Sequence, residues 1–142
     1  MIQRYVSKIS GPLLDRIDIH IEVPAVKYKE LRAPAPTEDS AAVRQRVIHG
    51  RDRQTERYRA DKKTYSNAQM PPKMIRKYCA ITPDGEKLLE NAITRLGLSA
   101  RAHDRILKVA RTIADLDAAE NIEPRHLSEA IQYRTLDRSY WS

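Results

Sequence analysis

Hydrophobic and polar positions divide this chain into a short alternating segment and a longer helical one. From Ile17 to Val23 apolar residues alternate with Asp18, His20 and Glu22, the period-2 pattern of a strand buried on one face. Such a strand needs a sheet partner to be stable. Pro24 stops it, residues 26–32 can form a short helix, and Ala33-Pro34-Ala35-Pro36 reads as an extended connector.

Beyond the connector the period changes to that of helices. Thr37-Glu38-Asp39-Ser40 carries helix-start chemistry, because side-chain oxygens accept from free amides and acids favour the positive helix end. The following segment, to about Ala60, has a short inward stripe of Ala42, Val43, Val47 and Ile48 and is otherwise dominated by arginine, so its far end is expected to leave the bundle. Residues 61–70 read as a loop. Pro71 or Pro72 opens the next helix, with Met74, Ile75, Tyr78 and Cys79 on one face. Thr82-Pro83-Asp84 caps another, in which Leu88, Leu89, Ala92, Ile93 and Leu96 recur at helical spacing until Gly97 ends it. Ser99 caps the clearest helix, with Ala102, Ile106, Val109, Ala110, Ile113 and Leu116 at three- and four-residue intervals. Pro124 opens the last, with Leu127, Ala130 and Ile131 inward. Four or five amphipathic helices joined by short loops predict a mainly α fold, a small helical bundle.

Composition narrows the chemistry. The 142 residues can build one modest core, and no stretch approaches the roughly 20 apolar residues of a membrane span. One cysteine, Cys79, forbids an intramolecular disulfide, and His20, His49, His103 and His126 fall on separate elements, so no zinc-type or nucleophilic motif is readable and no metal site is expected. A reducing, cytoplasmic setting is the default expectation. The glycines Gly11, Gly50, Gly85 and Gly97 are isolated, which leaves out a phosphate-cradling loop. The charge of +7 favours an anionic partner such as nucleotide or nucleic acid.

That charge is concentrated. Between Arg44 and Lys63 six Arg and two Lys stand against Asp52, Glu56 and Asp61, and Arg51, Arg53, Arg57 and Arg59 could follow the phosphates of DNA with salt-sensitive affinity. The bland alternative is a solvated helix face or a subunit contact. Arg101 sits in the first turn after the Gly97-Leu98-Ser99 break, where free helix amides already favour an anion; it is also readable as an ordinary surface arginine. Arg105 and Arg111 follow on the same helix, where salt bridges to Asp104, Asp115 or Glu120 are the simple reading. Arg16 stands between the Leu13-Leu14-Asp15 turn and the alternating segment, where it could pair with Asp15 or Asp18.

Lys8-Ile9-Ser10-Gly11-Pro12-Leu13-Leu14-Asp15-Arg16-Ile17-Asp18 closely resembles a signature of the magnesium chelatase-like AAA+ ATPases of the ComM/YifB type. The likeness continues through Asn67-Ala68-Gln69, through residues 74–79 and 95–102, and through the run from Arg105 to Leu116 and residues 129–134. It implies that residues 1–24 are the tail of an AAA+ core with its arginine finger, residues 25–36 a linker, and residues 37–142 a helical lid domain. The strand would then be left from the ATPase core, and residues 1–12 would fray without it. By the same resemblance Arg16 is the arginine finger, acting in trans on a neighbour's nucleotide, and Arg101 is the sensor-2 arginine that reaches the γ-phosphate.

The implied cofactors are ATP and Mg²⁺ in the full-length protein, with none bound tightly by this piece. The implied partners are the AAA+ core of the same protein, further copies in a hexameric ring, and DNA, with no membrane. Lacking the phosphate loop and the Mg²⁺-holding acid, the chain is expected to be the C-terminal piece of a larger motor and inactive as an ATPase on its own. Two alternatives stay open: an autonomous basic helical DNA-binding module, and a pure oligomerisation module.

Overall fold

The helices begin at local start signals, a capping side chain or a proline in the first turn. In a computed structural model, which describes residues 13, 16–21, 23–25 and 38–134, five α-helices follow one another. Helix α1 spans Ser40–Arg57 and is capped by Asp39, whose carboxylate accepts from the Ala42 amide at 2.7 Å. After a 3₁₀ turn at Asn67–Gln69, α2 runs over Pro72–Tyr78 with proline in its first turn. Helix α3 spans Pro83–Leu96; Thr82 accepts from the Gly85 amide at 3.2 Å, and Asp84 and Glu86 place negative charge on the first turn. Gly97 ends it in the left-handed region at φ 57°, with the Leu98 amide bonded back to the Ile93 carbonyl at 3.0 Å. Helix α4 spans Ala100–Leu116 with Ser99 as its cap, and α5 spans Pro124–Gln132.

Helix α4 is the centre of the packing. It touches α1, α2, the 3₁₀ turn and α5, while α5 also rests on α3. Ala102, Ile106, Ala110 and Ala114 form its buried stripe, the small residues letting neighbouring helices approach closely, and Leu89, Ile122, Leu127 and Ala130 close the core around it. Tyr58 and Tyr78 meet edge-to-face at 5.8 Å beside Cys79, whose thiol burial pushes up to about 11. At the start of α5 the buried His126 accepts from the Glu123 amide on Nδ1 at 3.0 Å, which leaves Nε2–H to donate to Asp117 at 3.2 Å. The helical expectation is met from α2 to α5, at the caps the sequence marks.

Two expectations come out differently. In α1 it is the first half that leaves the bundle: residues 40–49 are all exposed, Val43, Val47 and Ile48 included, whereas Gly50, Gln54 and Tyr58 are buried at four-residue spacing. Gly50 eases that seating, because a Cβ there would stand 3.0 Å from Leu116 Cδ2 and the leucine side chain would have to give way. The alternating segment is no strand among the described residues. Ile17, Ile19, Ile21 and Val23 are exposed and residues 16–21 pair with no ladder, since no strand among the described residues lies beside them to take their hydrogen bonds. The helix expected at 26–32, the connector and the fraying of residues 1–12 lie outside the described residues.

Candidate functional site

The first turn of α4 is unusual electrostatically. It carries no acid and does carry Arg101, a cation at the positive end of the helix dipole, which is unfavourable by about 0.3–1 kcal/mol at a surface. Arg101, Asp104, Arg105 and Lys108 follow at helical spacing on one face and, with Asp18 and Ala68, line a cleft of about 360 Å³. Within this cleft the cations differ in what they are bound to. Lys108 Nζ donates to the Ala68 carbonyl at 2.9 Å. Arg105 Nη1 donates to the Arg16 carbonyl at 2.7 Å and to the Asp18 carboxylate. Asp104 faces His103 Nδ1 at 3.0 Å. Arg101 is exposed and makes no ion pair or hydrogen bond among the described residues.

Arg16 reaches the same neighbourhood from the other end of the chain. Its backbone is held by Arg105, one turn beyond Arg101, and its side chain is exposed, with no partner among the described residues. The structure thus brings the Arg16 segment, through its carbonyl and Asp18, to the cleft that Arg101 lines. The Asp15 side of Arg16 lies outside the described residues, and Asp18 is taken by Arg105.

The basic stretch does not form one row. Arg51 and Arg59 are exposed, the latter only 3.7 Å from Glu56 in an open surface pair. Arg53 turns inward and donates to the Ala119 carbonyl at 3.0 Å. Arg57 is committed to the interior: it forks onto both carboxylate oxygens of Asp115, at 2.7 Å to Oδ2, and donates to Asn67 Oδ1 at 3.0 Å.

Around Asp115 a buried polar cluster is completed from several elements. Asn67 donates to Asp115 at 2.8 Å and to Thr112 at 3.0 Å, and it accepts from the Tyr58 hydroxyl at 2.7 Å. Arg111 stands 3.1 Å from Asp115 and donates to the carbonyls of Ala119 and Glu120. Burial alone would raise the Asp115 pKa; hydrogen bonds from Arg57 and Asn67 and the charge of Arg111 outweigh it and hold the group below its ordinary 3.8. Burial would likewise lower Arg57, and the hydrogen bond and charge of Asp115 outweigh it, so Arg57 is raised. Burial lowers Arg111, against the opposing pull of Asp115. The Asp115 carboxylate is fully engaged in this cluster, which fastens α1, the 3₁₀ turn and α4 together; among the described residues, Arg111 Nε is the one cluster atom left buried without a partner. The salt bridge expected for Arg111 is present; that of Arg105 goes to Asp18, a partner that helical spacing alone does not indicate.

A larger hollow, about 660 Å³, opens between α2, α3 and α4 over Ile75, Cys79, Leu89 and Leu107, and none of the arginines singled out above lines it. No group of three His, Cys, Asp or Glu side chains placed to hold a metal occurs among the described residues, and no helix there is long and apolar enough to cross a membrane.

These features define a small α-helical domain with a cationic cleft at the start of its central helix. Residues 37–134 match the family described as magnesium chelatase, subunit ChlI C-terminal, and residues 1–31 match magnesium chelatase, subunit ChlI. The chain is 45% identical over 136 residues to YifB of Salmonella typhimurium and 42% identical over 136 residues to YifB of Escherichia coli. It is 44% identical over 138 residues to competence protein ComM of Haemophilus influenzae. These matches cover 95%, 95% and 96% of this chain and 26% of each relative, so the chain spans about a quarter of their length. The chain belongs to the magnesium chelatase-like family, an AAA+ group.

Proposed function

We propose that the chain is the helical lid, residues 37–142, of a longer magnesium chelatase-like ATPase, joined through residues 25–36 to the tail of the ATPase core, residues 1–24. In this reading Arg101 senses the γ-phosphate of ATP and Arg16 completes a neighbouring subunit's site in a homo-oligomeric, hexameric ring. The observation that carries it is the division of labour around the α4 cleft: Arg105 and Lys108 are bound to protein groups, whereas Arg101, which lines the cleft, is exposed, and Arg16, whose carbonyl is held by Arg105, is exposed as well. A guanidinium held at a cost at a helix N-terminus suits an anion that brings its own charge, and phosphate oxygens accept from its planar fork.

The residues present fit the phosphate end of ATP, and the reading assigns Mg²⁺ to the rest of the longer protein. Bound ATP would supply the transferable phosphoryl group. Arg16 would offset the charge that develops on its oxygens, a contribution of about 10³–10⁵ in rate for arginine fingers. In the longer protein, Arg16→Ala should therefore lower the kcat of ATP hydrolysis by about 10³ or more, and Arg101→Ala should lower it as well. Undiminished turnover in both variants would sink the reading. The 142-residue chain alone should show no turnover.

One relative is named a competence protein, and DNA is the material proposed for the motor to act on. A second reading, direct DNA binding by α1, is supported by Arg44 and Arg51, both exposed and seven residues apart on one side of the helix. It is weakened by the commitment of Arg53 and Arg57 to protein partners. Duplex binding by this chain that falls steeply with salt, and less steeply in an Arg51→Ala, Arg59→Ala variant, would favour it.

A further inference from the structure

Among the described residues, the segment that carries Arg16 is attached to the helical domain mainly by polar contacts. Arg105 uses Nη1 to hold the Arg16 carbonyl and the Asp18 carboxylate. Arg134, only 1% exposed, donates from Nη1 to the next carbonyl, that of Ile17, at 2.5 Å. The His20 amide donates to the Tyr133 carbonyl at 2.9 Å. Apolar burial does not explain the docking, since Ile17, Ile19 and Ile21 remain 41%, 46% and 67% exposed. Consecutive carbonyls at residues 16 and 17 are thus each taken by a guanidinium, one from α4 and one from just beyond α5. Charge-assisted bonds of this kind are stronger than those between neutral groups and are directional.

We propose that Arg105 and Arg134 are positioning residues that clasp the Arg16 segment onto the helical domain, so that Arg16 and Arg101 move as one body. Arg101 lies one turn before Arg105 on the same helix face, so a segment fixed to Arg105 is fixed relative to Arg101. The functional consequence rests on the nucleotide reading above: a displacement of the lid would carry the finger with it, and neither arginine could be placed without the other.

The clasp can be tested on the 142-residue chain by amide hydrogen exchange. Arg105→Gln should speed exchange at the His20 amide by about tenfold, while the interior amides of α4 keep their protection and show that the fold is intact. Arg134→Gln should do the same; because Arg134 is buried, Arg105→Gln is the deciding variant. Unchanged exchange at His20 in folded Arg105→Gln overturns the clasp. In the longer protein, Arg105→Gln should lower kcat with little change in the KM for ATP, and Arg105→Lys should recover part of the loss. If Arg16→Ala abolishes turnover and Arg105→Gln does not reduce it, the positioning role is overturned. Turnover undiminished in Arg16→Ala would instead remove the nucleotide reading, a result separable from the exchange measurement.

Discussion

The two ends of α4 hold arginines in opposite circumstances. Toward the C-terminus, Arg111 is 3% exposed and shares the fully buried Asp115 with Arg57, with Asn67 completing the set. Toward the N-terminus, Arg101 stands in water, and Arg105 is bound to a segment that itself remains largely exposed. The residue type and the charge are the same. What differs is a buried carboxylate, without which a guanidinium cannot leave water except at a cost of several kcal/mol. At the interior end electrostatics therefore serves the fold. At the open end the Arg101 guanidinium keeps its hydration and is free to meet a partner from outside.

The largest effect should come from breaking the interior end. Asp115→Ala leaves Arg57 and Arg111 buried without their counter-charge, and unfolding in urea should show a loss of about 3–5 kcal/mol. For a domain of this size that is a large share of the usual 5–15 kcal/mol. A loss below about 1 kcal/mol, the range of exposed ion pairs, would mean that the interior arginines are as weakly coupled as surface ones. The distinction between the two ends would then collapse.

Acid offers a second way to release the same cluster without mutation. The Asp115 pKa lies below its ordinary 3.8: burial acts to raise it and is outweighed by Arg57, Asn67 and Arg111. A carboxyl group depressed on folding contributes stability that is fully present above the unfolded value and is lost as pH falls through the folded one. Stability should accordingly be flat with respect to Asp115 near neutrality and decline below 3.8. Urea unfolding of the wild type and of an Asp115→Asn variant across that range should give a shallower acid decline in the variant. Parallel declines would place the acid sensitivity elsewhere.

Helix boundaries were legible in the chain because their signals are local. Thr82, Gly97, Ser99 and Pro124 act on amides and carbonyls within one turn, and each stands at or beside a helix boundary. The direction in which α1 meets the bundle was not legible. Its Val43, Val47 and Ile48 stripe suggested that the first half is inside, but the second half is seated, with Gly50 close against Leu116 and Arg57 reaching Asp115, 58 residues away. The alternation from Ile17 to Val23 misled for a related reason. It reports what the segment could bury against a sheet, and none is present among the described residues. At the candidate site, Arg101 and Arg105 could be placed on one face by counting. The contact of Arg105 with the Arg16 carbonyl spans 89 residues, and no local pattern encodes it.

The smallest effect tests the open end, and its sign is the informative part. If Arg101 is held for an external anion, it does nothing for the isolated domain. It occupies the positive end of the helix dipole, with no acid in that turn and no ion pair among the described residues. Arg101→Ala removes that repulsion and places the best helix former in the first turn, so the isolated chain should become more stable by a few tenths to about 1 kcal/mol. Added salt should shrink the gain, because screening weakens the dipole term. A destabilisation of more than about 1 kcal/mol would show instead that Arg101 makes a structural contact. The cleft would then resemble the Asp115 cluster, with its cations serving the fold.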